Sequence, residues 1–218
     1  MTGYSGRVRV GGPPDVRELP DLVITKVAVG GMDNNCYLLR CRRTGAQLLI
    51  DAAAEAPLLL ELAGAGSVQA VVTTHAHADH YGALRELVAA TGARTFAHPA
   101  DAAGLPVETD VLVQDDDRIH FGDVELGVTH LQGHTDGSIV LSYDDPEGHP
   151  HLFTGDCLFP GGVGRTDDAA AFDSLYSGVV SKLFDRFPDE TWVYPGHGAD
   201  TTLGAERSEL PAWRERGW

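Results

Sequence analysis

Positive charge is scarce in this chain. Lys and Arg number 16 against 32 Asp and Glu in 218 residues, a formal charge of -16 with histidine neutral. No basic cluster is larger than Arg40, Arg42 and Arg43. A protein that grips a phosphate backbone needs a basic face, so nucleic acid is not expected as the main ligand unless a metal ion holds it. Long apolar runs are also missing. The longest, Ala56-Pro57-Leu58-Leu59-Leu60, stops at Glu61, far short of a membrane span. The opening MTGYSGRVRVGGPPD holds no apolar stretch of signal-peptide type. Cysteine is limited to Cys36, Cys41 and Cys157, an odd set without a CxxC pair. Reduced thiols and a cytoplasmic location are therefore expected. With 43% hydrophobic and 22% charged residues the composition is globular, and the length suits a single domain over 1–218. Against these shortages stand ten histidines.

No repeat, low-complexity tract or charge block divides the chain. After Gly11-Gly12-Pro13-Pro14 the pattern turns to strands at Leu22: LVITKVAV, NCYLLRC and AQLLID, with turns at Gly30-Gly31 and Thr44-Gly45. A helix is expected over 56–63, with Pro57 in its first turn. Val68 to Thr74 reads as a buried strand, Asp79 to Ala90 as a helix stopped by Gly92, and Arg94 to Ala97 as the next strand. Hairpin patterns follow over 118–131 and 138–154. Phe172, Leu175, Tyr176, Val179, Val180, Leu183, Phe184 and Phe187 then recur at helical spacing, a stripe that reads as core packing. Trp192 to Tyr194 is a last strand. Two mixed sheets with helices outside satisfy this order, an α+β arrangement.

The informative segment is Thr73-Thr74-His75-Ala76-His77-Ala78-Asp79-His80. It lies where a buried strand ends and a helix begins, where α/β sites are commonly built. In an extended loop His75 and His77 share a side, because side chains alternate with a period of two. Asp79 and His80, at the helix start, turn elsewhere. One hexapeptide thus offers two imidazoles to one metal ion and a carboxylate with an imidazole to another. Solvated loop histidines would be the plainer explanation, but four ligand-type residues in six at such a junction argue against it. Gly133-His134-Thr135, Thr154-Gly155-Asp156 and Pro195-Gly196-His197-Gly198 repeat the placement: a strand stops, a glycine permits a turn, and one ligand-type side chain stands at the tip. His98, His120, His130, His149 and His151 fall in turns or within strands and read as structural. Cys157 reads as a buried thiol.

These ordered motifs resemble those of the metallo-β-lactamase superfamily, and its glyoxalase II-like branch most. The resemblance implies a four-layer αββα sandwich, with two mixed β-sheets inside and the site at the sandwich edge. Carried over position by position, it implies that His75, His77 and His134 hold one metal ion. Asp79, His80 and His197 hold a second, and Asp156 bridges them. The implied cofactors are two divalent ions, zinc first, with iron or manganese as alternatives. The chain departs from the family at Tyr81-Gly82-Ala83, where glyoxalase II commonly has two glycines, and at Asp136, where it usually has proline. It is also expected to lack the carboxy-terminal helical domain that supplies much of the glutathione site, since it ends 21 residues past His197.

The implied reaction is hydrolysis of a small hydroxyacyl-type thioester by a hydroxide shared between the ions. The ions would also take up oxyanion charge, and Asp79 would orient the attacking water. The expected partner is a small-molecule thioester, with no nucleic acid and no membrane. β-Lactam hydrolysis fits less well, because zinc β-lactamases of the superfamily lack a bridging carboxylate and are exported. The alternative enzyme is a persulfide dioxygenase, which would use one iron on His75, His134 and Asp156. A binding module that has lost its chemistry would not need all seven ligand-type residues.

Overall fold

Apolar alternation drives the first half of the chain into strands, and the polar lead adds one more. The computed structural model describes residues 3–64 and 68–217. Strand β1 (Asp15–Glu18) pairs antiparallel with β2 (Leu22–Val29). Its sequence DVRE has no apolar pattern and lies at the sheet edge, so nothing in the polar lead announces it. The expected meander continues through β3 (Asn34–Cys41) and β4 (Gln47–Ile50). The chain then alternates: α1 (Ala56–Ala63), β5 (Val68–Val72), α2 (Ala78–Tyr81), α3 (Leu84–Thr91), β6 (Arg94–Ala97), α4 (Pro99–Ala102) and β7 (Val111–Leu112). Strands β4 to β7 run parallel and complete a seven-stranded mixed sheet in sequential order.

The single helix expected from Asp79 to Ala90 is two helices, α2 and α3, broken at Gly82-Ala83. The Ala83 amide donates to Ala52 O at 2.9 Å, and a side chain on Gly82 would collide with Ala53 O. The segment after β4 crosses so close to this junction that a straight helix cannot pass it.

A second sheet follows, formed by β8 (Arg118–Phe121), β9 (Val124–His130), β10 (Ile139–Asp144) and β11 (Pro150–Gly155). A two-stranded ribbon, β12 (Leu158–Phe159) with β13 (Gly162–Val163), leads to α5 (Ala169–Val179), which continues as a π-helical turn over Val180–Phe184. Then come β14 (Trp192–Pro195), β15 (Thr201–Thr202), α6 (Leu203–Arg207) and α7 (Leu210–Arg216). In this six-stranded sheet β14 runs parallel to β11.

Three apolar clusters define the layers. Leu22, Ile24, Leu39, Leu48, Leu126, Leu141 and Phe153 pack between the sheets. Leu49, Val71, Leu59, Leu84 and Leu87 join the first sheet to α1 and α3. Leu152, Val193, Phe172, Leu175, Leu183 and Trp213 join the second to α5, its π turn and α7, so the helical stripe is core packing. The fold is the expected αββα sandwich of class α+β. Full burial of each Leu- or Phe-sized side chain contributes roughly 1.5–3 kcal/mol, which is what holds the layers. Among the described residues no helix is long and apolar enough to cross a membrane.

The parallel strands position the site. β4, β5 and β6 all end at one edge of the first sheet, and β11 and β14 end at one edge of the second. The two edges are stitched together by Ile139 N donating to Thr74 O (2.9 Å) and Asn35 N donating to Gly196 O (2.7 Å).

Two polar groups interrupt the inter-sheet core. Lys26, fully buried on β2, donates to Asp200 Oδ1 at 2.6 Å and to the carbonyls of Gly6 and Gly198. Asp200 also accepts from Tyr4 and Trp192, so the pair is nearly saturated with hydrogen bonds. His151, also fully buried, lies 3.0 Å from the Tyr194 hydroxyl through Nδ1, and its Nε2 has no partner among the described residues. Burial, with the positive charge of Arg17 and the neighbouring His149, lowers His151 from 6.5 to about 3. The unfolded chain therefore binds one more proton than the folded one between these values. Stability contributed by neutral His151 is complete above pH 6.5 and is lost as pH falls toward 3, at about 1.4 kcal/mol per unit. Urea unfolding at successive pH values should show His151→Gln with a slope shallower by close to one proton between pH ~4 and ~6. Equal slopes would place the acid sensitivity elsewhere.

Candidate metal centre

The loop from β5 to α2 folds as its sequence suggests. His77 stands before α2 in extended conformation, and the rings of His75 and His77 lie 4.8 Å apart on one side. His134, from the loop after β9, closes against both, 4.7 Å from His75 and 4.6 Å from His77 between ring centres. Asp79 and His80 stand in α2, and His197, from the end of β14, faces His80 at 5.1 Å. Two donor sets result, His75 with His77 and His134, and Asp79 with His80 and His197, each with ligand atoms within 4.8 Å of one another. Asp156 stands between them. Its Oδ1 lies 3.4 Å from His80 Nε2, and its Oδ2 lies 3.6 Å from His134 Nε2 and 3.5 Å from His197 Nε2.

Four of the five rings are oriented from behind. His134 Nδ1 donates to Arg165 O at 2.8 Å and His197 Nδ1 to Met32 O at 2.9 Å. His80 Nδ1 donates to Asp51 Oδ2 at 2.9 Å. His75 Nδ1 donates to Thr74 Oγ1 at 3.0 Å, and that hydroxyl passes its own proton to Asp51 Oδ2. Carbonyls and carboxylates only accept, so each of these rings carries a proton on Nδ1 and turns its Nε2 inward. There His75 Nε2 meets His134 Nε2 at 3.3 Å, and His80 Nε2 meets His197 Nε2 at 3.2 Å. Bare nitrogens at such distances repel unless a proton or a metal ion lies between them. Asp156 Oδ1 is moreover buried without a hydrogen-bond partner among the described residues. The donor set fits divalent metal ions, with imidazole and carboxylate ligands held by outward hydrogen bonds.

The electrostatics agree with this fit. Burial, with the neighbouring imidazoles, takes His75 well below its ordinary value, and burial lowers His134. His80 rises to about 10 in spite of burial, because Asp156 and Asp51 flank it, and His197 rises beside Asp156 for the same reason. Asp156 is held well below the usual carboxylate range, against burial, by His197 and His80. Without metal, a proton on His80 supplies positive charge beside these carboxylates.

Sequence reasoning passed over three supporting side chains. Asp51, 1% exposed with φ 57°, accepts from Thr74 N, Thr74 Oγ1 and His80 Nδ1, and so serves a ring of each donor set. Both its oxygens are engaged, which makes it an orienting group rather than a ligand of a third ion. It ends the strand AQLLID, the placement that marked the other motifs, and could have been found by that rule. Asp101 accepts from Ala76 N, Thr135 Oγ1 and Gly137 N at 2.7–2.8 Å, tying the His75–His77 loop to the His134 loop. Asn34, in β3, donates to Asp79 Oδ2 at 2.8 Å. Asp101 and Asn34 act across the fold, and no local pattern marks them.

None of His98, His120, His130, His149 and His151 joins the convergent groups. His98 caps α4, accepting from Ala100 N, and stacks on His130 at 3.9 Å. Cys157 is 1% exposed, and burial pushes its thiol upward. The glycine rule needs one refinement. Gly155 does adopt a left-handed φ of 47°, but Gly196 is required for space, because a Cβ there would strike Asp156 Oδ1 and press on His80.

The sequence pattern of the metallo-β-lactamase superfamily matches residues 29–197, and the chain belongs to that superfamily. It is 36% identical over 172 residues to a hydroxyacylglutathione hydrolase of Rhodospirillum rubrum, covering 76% of this chain and 62% of the relative. The chain thus spans less than two thirds of that hydrolase. Among solved structures it is similar to TTHA1623 in a di-iron-bound form, at 35% identity and a TM-score of 0.67, covering 84% of this chain and 96% of the other. It is also similar to ETHE1 from Myxococcus xanthus, at 28% identity and a TM-score of 0.77, covering 88% and 84%.

Two outcomes follow from the geometry. Gly196→Ala should lose most of its tightly held metal while its far-ultraviolet circular dichroism stays close to wild type; full metal content would mean that Asp156 and His80 can yield to a methyl group. Metal uptake at pH 7 should release at least one proton, from His80, so affinity should climb with pH up to about 10. Calorimetric titration in two buffers of different ionisation heat measures that release, and its absence would mean that His80 is neutral before metal arrives.

Proposed function

We propose that the protein is a metal-dependent hydrolase of small thioesters carried on a thiol without acidic groups. The observation that carries the first part is the pair of donor sets converging on Asp156. Ions bound there would polarise a carbonyl and bring the pKa of water to about 7. The remaining work belongs to side chains of this chain. Asp79, its side chain 28% exposed, is the carboxylate placed to orient a water molecule. Asp51, through His80 and Thr74, holds the rings on their axes, and Asp156 keeps both sets in register. A thiolate leaves without a strong general acid, and no buried acid is required opposite the site. The similarity to a hydroxyacylglutathione hydrolase supports this reaction class.

The second part rests on the cavity beside the first donor set. It measures about 550 Å³ and is lined by His77, His134, Gln132, Asp136, Asp167, Asp168 and Ser174. Asp136 stands where glyoxalase II usually has proline, and three carboxylates in this wall disfavour a thiol that itself bears carboxylates. Glutathione bears two.

Zinc-loaded protein under argon should cleave lactoyl thioesters of ethanethiol and of N-acetylcysteamine at least tenfold more efficiently than that of glutathione. Chelator should abolish all three activities. Asp136→Asn with Asp167→Asn should narrow the gap. His197→Ala should lower kcat/KM at least a hundredfold, about 2.7 kcal/mol of barrier. Oxygen uptake with a persulfide by the iron form, with zinc protein inert toward every thioester, would replace the hydrolase with the one-iron dioxygenase reading.

A further inference from the structure

Two rings of the first set, His75 and His134, are fixed by hydrogen bonds behind them, and Asp101 ties their loops together, but the second set contains a carboxylate with a different kind of support. Asp79 stands in the four-residue helix α2, with its side chain partly in solvent. Its Oδ2 faces the other members of the set, 3.6 Å from His80 Nε2 and 3.4 Å from His197 Nε2. Besides its own backbone amide, the hydrogen bond to this carboxylate comes from Asn34 Nδ2, at 2.8 Å and to that same Oδ2. The amide nitrogen must be the atom turned this way, since a carbonyl oxygen at that distance would repel the carboxylate.

Asn34 is well placed to hold something still. It is 2% exposed, lies in β3 paired with Val29, and makes a backbone bridge to His197. Its amide nitrogen also lies 3.4 Å from His197 Nε2. Among the described residues, one strand end therefore hydrogen-bonds to members of the second set and to none of the first. It is uncharged, so it adds no third carboxylate beside Asp79 and Asp156.

We infer that Asn34 is a positioning residue for the second metal ion: its amide fixes which oxygen of Asp79 faces His80 and His197, and so sets the affinity of that half of the centre alone. This rests on the two-ion reading given above. An oxygen held by a buried amide cannot swing away with α2, while the side chain as a whole stays partly exposed for the water-orienting role. A ligand deprived of such support typically loses ten- to a hundredfold in metal affinity.

The test is a cobalt(II) titration of metal-free protein followed by its visible absorption, repeated with zinc against a competing chelator. Wild type, Asn34→Ala and Asn34→Leu are compared; leucine fills nearly the same space but donates no hydrogen bond. In both variants the first equivalent should bind as in wild type, and the second ten- to a hundredfold more weakly. An unchanged first step is also the evidence that the variants are folded. Two equivalents bound by the variants with wild-type affinity would overturn the role of Asn34 while leaving the two-ion reading intact. Equal weakening of both steps would overturn it too, by making the effect one of general fold. A wild-type protein that binds one equivalent only would remove the two-ion reading itself, and the inference with it.

Discussion

Imidazole has two nitrogens, and the site depends on giving each a separate task. At His75, His80, His134 and His197 the outer nitrogen is held by the protein and the inner one is turned toward its counterparts. The outer bond fixes the ring rotation, so the inner nitrogens face the centre before any metal ion arrives. The arrangement is costly for a metal-free protein, since lone pairs are opposed and a carboxylate oxygen is left unpaired. A proton on His80 meets part of that cost. A divalent ion meets it better, because it can be shared among several ligands at once.

Asp51 is where this arrangement joins the sheet. It ends the first of the parallel strands, in a left-handed conformation that aspartate tolerates better than most residues. From there it reaches a ring of each donor set, His80 directly and His75 through Thr74. A displacement of β4 relative to β5 would therefore misalign both halves together. Asp101 and Asn34 act on one half each. The buried Lys26–Asp200 pair supports the site more remotely: Lys26 also donates to Gly198 O, directly after His197.

Charge in this molecule is distributed to two ends. In the centre, carboxylates are matched by imidazoles and have the chemistry of a cation site. Just outside it, Asp136, Asp167 and Asp168 line the cavity wall and belong to no donor set. The net charge of -16 extends the same bias over the whole chain. A substrate entering the cavity meets a negative wall before it reaches the centre, which is why the proposed thiol carrier is one without carboxylates.

The sequence by itself determined most of the architecture and all seven candidate ligands, because both are written in local patterns. Period-two alternation gave β2 to β4, helical spacing gave α1 and the α5 stripe, and each ligand follows a strand end with a glycine or a short polar run. The edge strand β1 has no such pattern, and the break between α2 and α3 comes from Ala52 and Ala53 passing against Gly82-Ala83, a contact between segments distant in sequence. The supporting groups were hidden for the same reason. Asp101 acts on Ala76, Thr135 and Gly137, and Asn34 acts on Asp79, so each is defined by a partner that sequence does not place beside it. Sequence determines which side chains can ligate; only the tertiary structure decides which nitrogen or oxygen each one presents, because that choice is made by hydrogen bonds arriving from other strands.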